Sequence, residues 1–233
     1  MKPTLGRRVV AETVGTAMLL AAVVGSGIMA ERLSDGNIAI ALLANSIATG
    51  AALVALIFTF GPISGAHFNP AVTIFDALAG GIKWSDTLAY LAAQIIGAVS
   101  GVMIANSMFE LPAIFPSIKV RTGSAQWLGE FVATFGLLSV IWGCSRLHKT
   151  TVLPFAVAAY ITAAYWFTSS TSFANPAVTI ARALSDTFAG IRPIDVPAFV
   201  IVQMLGALSA TLLFRWLVPH NQAGNMDIIR NEF

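Results

Sequence analysis

Apolar residues fall along this chain in long stretches, separated by short polar or Gly- and Pro-bearing segments. Six stretches, roughly 9–30, 38–60, 84–108, 127–147, 152–172 and 195–218, have the length and character of spanning helices, which need about 20 mostly apolar residues. Lys2, Arg7 and Arg8 precede the first stretch as in a signal peptide. That stretch is of full spanning length and more follow, so it reads as a retained helix. Trp84, Trp127 and Trp216 sit near segment ends, where interfacial anchors collect. Two intervals differ. Gly61 to Lys83 and Phe173 to Ile194 contain apolar runs too short to span.

Composition strengthens the membrane reading. The chain has 233 residues, of which 57% are hydrophobic and 10% charged, with mean hydropathy +0.79, whereas a soluble domain is about a quarter charged. The predicted class is an all-α integral membrane protein. A net charge of +2 gives no reason to expect a nucleic-acid partner. The single cysteine, Cys144, excludes an intrachain disulfide and a Cys-based metal site, and reads as a small buried apolar residue.

The two short intervals share a hexapeptide: Asn69-Pro70-Ala71-Val72-Thr73-Ile74 and Asn175-Pro176-Ala177-Val178-Thr179-Ile180. The duplication extends outward. Ala11-Glu12-Thr13-Val14-Gly15-Thr16 matches Gly129-Glu130-Phe131-Val132-Ala133-Thr134, and Gln94-Ile95-Ile96-Gly97-Ala98 matches Gln203-Met204-Leu205-Gly206-Ala207. Each half contains three spans, and an odd number turns the second copy over in the membrane. We expect one domain over 1–233, with inverted repeats at about 7–110 and 125–220.

Asn is a strong helix N-cap and Pro favours the first helical position. Short helices are therefore predicted from Ala71 to about Ala79 and from Ala177 to about Ser185. Each would be about 15 Å long, so two entering from opposite faces would meet N-terminus to N-terminus near the centre of a roughly 30 Å core. Non-helical backbone at that depth is tolerated only inside protein or beside a water-filled cavity. Gly61 to Phe68 and Thr168 to Ala174 would supply it, their carbonyls forming an acceptor ladder. Asn69 and Asn175 would offer side-chain donors at the waist, and the positive helix ends would repel cations.

These features resemble the aquaporin, or major intrinsic protein, family from Glu12 to about Trp216, most closely in Ser64-Gly65-Ala66-His67-Phe68-Asn69-Pro70-Ala71-Val72-Thr73. The resemblance implies six transmembrane helices plus two re-entrant half-helices, one pore per subunit, homotetramers in the cell (inner) membrane, cytoplasmic termini, and passage of water and small neutral solutes. It places His67 in the cytoplasmic vestibule. The excess of Lys and Arg on the cytoplasmic side under that topology is small.

One departure stands out. In the family the second Asn-Pro-Ala is followed at once by a constriction arginine; here that residue is Val178, and Arg182 comes four positions later. We expect Arg182 to pack or snorkel. Spacing from the Asn-Pro-Ala motifs assigns the other constriction positions to Thr49, Ala163 and Ser172. A quartet of Thr49, Ala163, Ser172 and Val178 is small throughout and predicts a wide, arginine-free aperture. The pattern resembles bacterial aquaglyceroporins linked to arsenic resistance, and the candidate solutes are water, glycerol, urea and undissociated metalloid acids such as arsenous acid.

Other polar residues have structural readings. Glu12, Glu130, Gln94 and Gln203 are read as braces for the re-entrant loops, and Gly15, Gly97, Gly136 and Gly206 as points of close helix approach. His67 carries a charge that can change between about pH 5 and 8. His148 and His220 read as solvated, and Asp76 as exposed or locally partnered. No metal-ligand set, cofactor motif or nucleophile with its base is evident, so an enzyme is not expected. The alternatives are an inverted-repeat secondary transporter and a mainly water-conducting aquaporin. Against the transporter, neither half-helix N-terminus carries a charged residue to bind a coupling ion.

Overall fold

A computed structural model describes residues 3–146 and 151–218; His148 and His220 lie outside the described residues. The helices are α1 (Leu5–Leu33), α2 (Ile38–Ser64), α3 (Pro70–Ala79), α4 (Trp84–Met108), α5 (Ser124–Arg146), α6 (Leu153–Phe167), α7 (Pro176–Arg182) and α8 (Val196–Leu217). A 3₁₀ turn, Pro193–Asp195, leads into α8. Five helices are long and apolar enough to cross a membrane; α6, with 15 residues, and α3, with 10, are shorter.

The two halves use matching packing. α1 lies against α4 and α2, and α5 lies against α8 and α6. The close approaches depend on glycine. A Cβ on Gly97 would strike the Thr13 carbonyl, and one on Gly206 the Phe131 carbonyl. Backbones approach this closely only where a side chain is absent. Outward faces carry exposed large apolar residues, among them Ile47, Phe58, Leu88, Ile96, Ile201 and Leu212. Such a surface suits lipid, not water. Trp84 and Trp216 are also exposed, and Cys144 is half-buried.

Three boundaries differ from the sequence expectation. α2 continues through Gly61 and Pro62 to Ser64. A proline in the final turn sacrifices one backbone bond and bends the helix without ending it. Gly65, at φ 93°, makes the stop and donates its N–H to Gly61 O at 3.0 Å. α6 ends at Phe167, well before residue 172. The following run, Thr168 to Ser172, is all hydroxyl side chains, which bond local backbone and compete with the helix ladder. Finally, α7 stops at Arg182 rather than Ser185, making it about 10 Å long.

Residues 109–123 between α4 and α5 do not loop away from the protein. Phe115 N donates to Leu184 O and Ser117 N to Ala183 O, both at 3.0 Å. Arg192 N donates to Lys119 O at 2.8 Å. This segment is thereby stitched to the chain that follows α7.

Candidate functional site: a lined passage between two half-helices

Asn69 and Asn175 cap α3 and α7. Their Oδ1 atoms each accept from the N–H two residues on, Ala71 N and Ala177 N, both at 3.0 Å. Pro70 and Pro176 occupy the first helical position of each, where a missing N–H costs nothing. The capping fixes the amide orientation, and each Nδ2 then donates across the midline. Asn69 Nδ2 reaches Ala174 O at 2.8 Å, and Asn175 Nδ2 reaches Phe68 O at 2.7 Å. One hydrogen of each amide is used in this way; the other remains for the cavity that both asparagines line.

The strands of chain feeding the half-helices have an unusual backbone. Ala66 and Phe68 in the first, and Thr171, Ser172 and Ala174 in the second, have φ between 48° and 61°. Non-glycine residues in this region are strained, so the surroundings must hold them. Glu12 does so in the first half: it accepts from Ser64 Oγ (2.6 Å), His67 N (3.0 Å), Phe68 N (2.8 Å) and Gln94 Nε2 (2.8 Å). Glu130 accepts from Phe173 N (2.8 Å), Ala174 N (2.9 Å) and Gln203 Nε2 (2.6 Å). Gln94 and Gln203 also donate to Thr73 and Thr179 on the half-helices, both at 2.8 Å. Both carboxylates are fully buried, and a charge so placed persists only when hydrogen-bonded like this. With the N–H groups turned to the carboxylates, the carbonyls of Ala66, His67, Ser172 and Phe173 have no protein donor among the described residues.

A cavity of about 220 Å³ runs past both loops. Near α3, His67 and Asp76 border it. The Thr73 hydroxyl donates to Asn69 O and accepts from Gln94, so His67 Nδ1, at 3.1 Å, must be the donor to it. That leaves Nε2 as the nitrogen 3.7 Å from Asp76 Oδ2. The two groups are neighbours, and they pair only when the ring carries a proton on both nitrogens.

Near α7 the cavity is bordered by Thr49, Tyr165, Ser172, Val178 and Arg182, and one sequence expectation needs correction here. Ala163 is exposed on the outer face of α6 and is not among the lining residues. Buried positions on α6 are Pro154, Val157, Ala158, Ile161, Ala164 and Tyr165, a 3.6-residue stripe that Ala163 misses. Tyr165 lines the passage in its place, with its hydroxyl 3.2 Å from Thr49 Oγ1. The constriction is therefore not small throughout. Ser172 borders the cavity, with its Oγ turned away from solvent and without a partner. Arg182 packs rather than snorkels: it is 2% exposed with its guanidinium on the Phe173 ring, and it also borders the cavity. Residues 178 and 182 are one turn apart, on the same helix face.

Arg121 and Phe173 were not singled out by sequence. Arg121 is buried, donating to Gly190 O (2.8 Å) and Ser170 O (3.0 Å). Burial lowers its pKa to about 10. Nothing in the local sequence marks it, because its partners come from residues 49 and 69 positions away. Tyr165 was accessible through the helical period of α6.

Two inverted three-helix halves, each sending a half-helix to a shared midline passage, define a membrane channel. The chain matches the Major intrinsic protein family model over residues 1–161 and again over 126–232, and it belongs to that family. It is 56% identical to aquaglyceroporin AqpS of Rhizobium meliloti (strain 1021), covering 92% of this chain and 91% of the relative. It is 31% identical to the probable aquaporin AqpM of Archaeoglobus fulgidus, covering 93% and 99%. The X-ray structure of the aquaglyceroporin from Plasmodium falciparum shares the fold, with TM-score 0.62 at 20% identity over 91% of this chain and 94% of that one. The protein is a multi-pass membrane channel of the aquaglyceroporin type for small solutes, not an enzyme.

Proposed function

We propose that the protein conducts water, glycerol, urea and undissociated metalloid acids such as arsenous acid by passive permeation. The observation that carries this reading is the lining near α7: an aromatic ring from Tyr165 and the methyls of Val178 on one hand, polar groups from Thr49 and the loop carbonyls on the other. A passage with an apolar side and an acceptor ladder suits a compact molecule with several hydroxyls and a hydrocarbon or lone-pair face. Glycerol and arsenous acid share that description. Val178 at the family's arginine position leaves its ring without a fixed charge, which widens that level for uncharged solutes.

In this reading Asn69, Pro70, Ala71, Asn175, Pro176 and Ala177 form the waist. Thr49, Tyr165, Ser172 and Val178 form the outer constriction, and His67 the inner vestibule. Glu12, Glu130, Gln94 and Gln203 brace the loops of one channel domain, with repeats at about 7–110 and 125–220. The protein sits in the cell (inner) membrane as a homotetramer, with both termini in the cytoplasm. Stopped-flow swelling of proteoliposomes with water, glycerol, urea and arsenous acid tests the proposal. Flux should rise linearly with concentration for all four. Saturation would indicate a carrier, and water flux alone a water-selective pore.

A further inference from the structure

The region beyond Val178 contains two buried guanidinium groups with no acidic partner. Arg182 lies with its guanidinium carbon 3.4 Å from the centre of the Phe173 ring, and Arg121 lies over the same ring at 4.9 Å. Arg182 Nε donates to Ala189 O, and Arg121 Nε to the adjacent Gly190 O. Among the described residues neither arginine has a carboxylate within ion-pair distance. Burying a cation is costly unless a counter-charge or hydrogen bonds offset it, and intramembrane cations concentrate along solute pathways.

The two arginines differ in what they leave free. Arg121 spends Nε and Nη1 on carbonyls and is absent from the lining. Arg182 spends only Nε. Its two terminal nitrogens have no protein partner among the described residues, yet are not sealed from solvent. Since Arg182 borders the cavity, those nitrogens open onto it. The guanidinium is clamped by a ring on one side and a carbonyl at Nε, so its four remaining N–H donors point in a fixed direction.

We propose that Arg182 is the specificity-determining cation of this channel, standing one turn outward of the level where Val178 sits. Width and charge are then set at separate levels. Thr49, Tyr165 and Val178 determine which neutral solutes fit, and Arg182 repels cations at its own level without selecting among neutral solutes. Arg121 and Phe173 position it. This inference rests on the reading of the passage as a neutral-solute channel.

The test measures glycerol flux together with sodium and proton conductance in proteoliposomes of the wild type, Arg182→Met and Arg182→Lys. Arg182→Met should keep glycerol flux within about twofold while cation conductance rises at least about tenfold, the scale set by removing one unit charge several ångström from the axis at an effective dielectric near 20. Arg182→Lys should restore low conductance, which a packing role for the guanidinium would not require. Unchanged cation exclusion in Arg182→Met with normal glycerol flux overturns the assignment. Where that variant does not fold, Arg182→Gln, which retains a donor toward Ala189, is judged by the same two outcomes. Wild-type protein that passes no glycerol would instead overturn the proposed solute range, so the two failures are separable.

Discussion

Asn69 and Asn175 hold each other's loops: Asn69 Nδ2 donates to the carbonyl just before Asn175, and Asn175 Nδ2 to the carbonyl just before Asn69. Each side chain also caps its own half-helix. Four groups are thus closed into one reciprocal unit at the meeting point of two inverted halves. Neither half can complete it alone.

Replacing Asn175 by Asp removes the donor to Phe68 O and sets an anion beside it. An acceptor facing an acceptor in a buried site should cost roughly 1–3 kcal/mol. The anion should also lower the barrier to cations at the waist. We expect a lower melting temperature in detergent and measurable cation leak in proteoliposomes. A variant equal to wild type in both would mean that the clasp carries neither job.

Glu12→Gln tests the brace. The carboxylate accepts from four donors on Ser64, His67, Phe68 and Gln94. A carboxamide turns one of its ends into a donor, which must then face an N–H or hydroxyl already pointing inward. The expected cost is roughly 2–4 kcal/mol, since the neighbouring donors lose a charged partner. The measurement is thermal unfolding in detergent. Gln94→Ala should be milder, because it deletes one donor and leaves the backbone bonds to Glu12 in place.

Thr49→Trp tests the aperture. Thr49 and Tyr165 are joined on the wall of the passage by a 3.2 Å hydroxyl contact, so an indole at position 49 fills space beside the ring already there. Glycerol flux should fall about tenfold or more while water flux falls much less. Val178→Arg should act the same way from the opposite wall, and more strongly. There the new cation would lie one turn from Arg182, and like charges at that spacing repel. Unchanged glycerol flux in folded protein of both variants would put the narrow point elsewhere.

Lys119 provides a pH-dependent prediction at the end of the passage beyond α7. Burial and the neighbouring Arg121 and Arg182 lower its pKa from 10.5 to about 8. Between those values the unfolded chain binds the proton more strongly than the folded one, so stability should rise as pH increases from about 8 towards 10. Lys119→Met should flatten that slope. Melting curves in detergent across pH 7.5–10 make the comparison, and an identical slope in both proteins would place the titration on another group.

Much of this channel was legible in the chain. The duplicated hexapeptide specified two capped half-helices because Asn-Pro acts locally: a cap and a proline at the first position need only the next few residues. The matched Glu and Gln positions could be paired with those motifs for the same reason, since the repeat itself reports which residues recur together. The inversion followed from counting spans. None of this required knowing where a side chain points.

What needed the tertiary structure was the passage wall. Ala163 was chosen by counting back from Asn175, but a count cannot include where α6 ends, and the backbone after Phe167 rotates the series so that Tyr165 faces inward. Arg182 reads from sequence as a packing or snorkelling arginine, because its local sequence offers no reason to set it beside a passage. Its partners are Phe173, before the half-helix, and Ala189, after it, brought together only when α7 folds back between them. Arg121 arrives from the other half's connecting segment, 49 or more residues from the carbonyls that hold it. Capping and periodicity are short-range and can be read from a sequence; the burial of a cation depends on which distant carbonyls and rings surround it, and only the folded chain decides that.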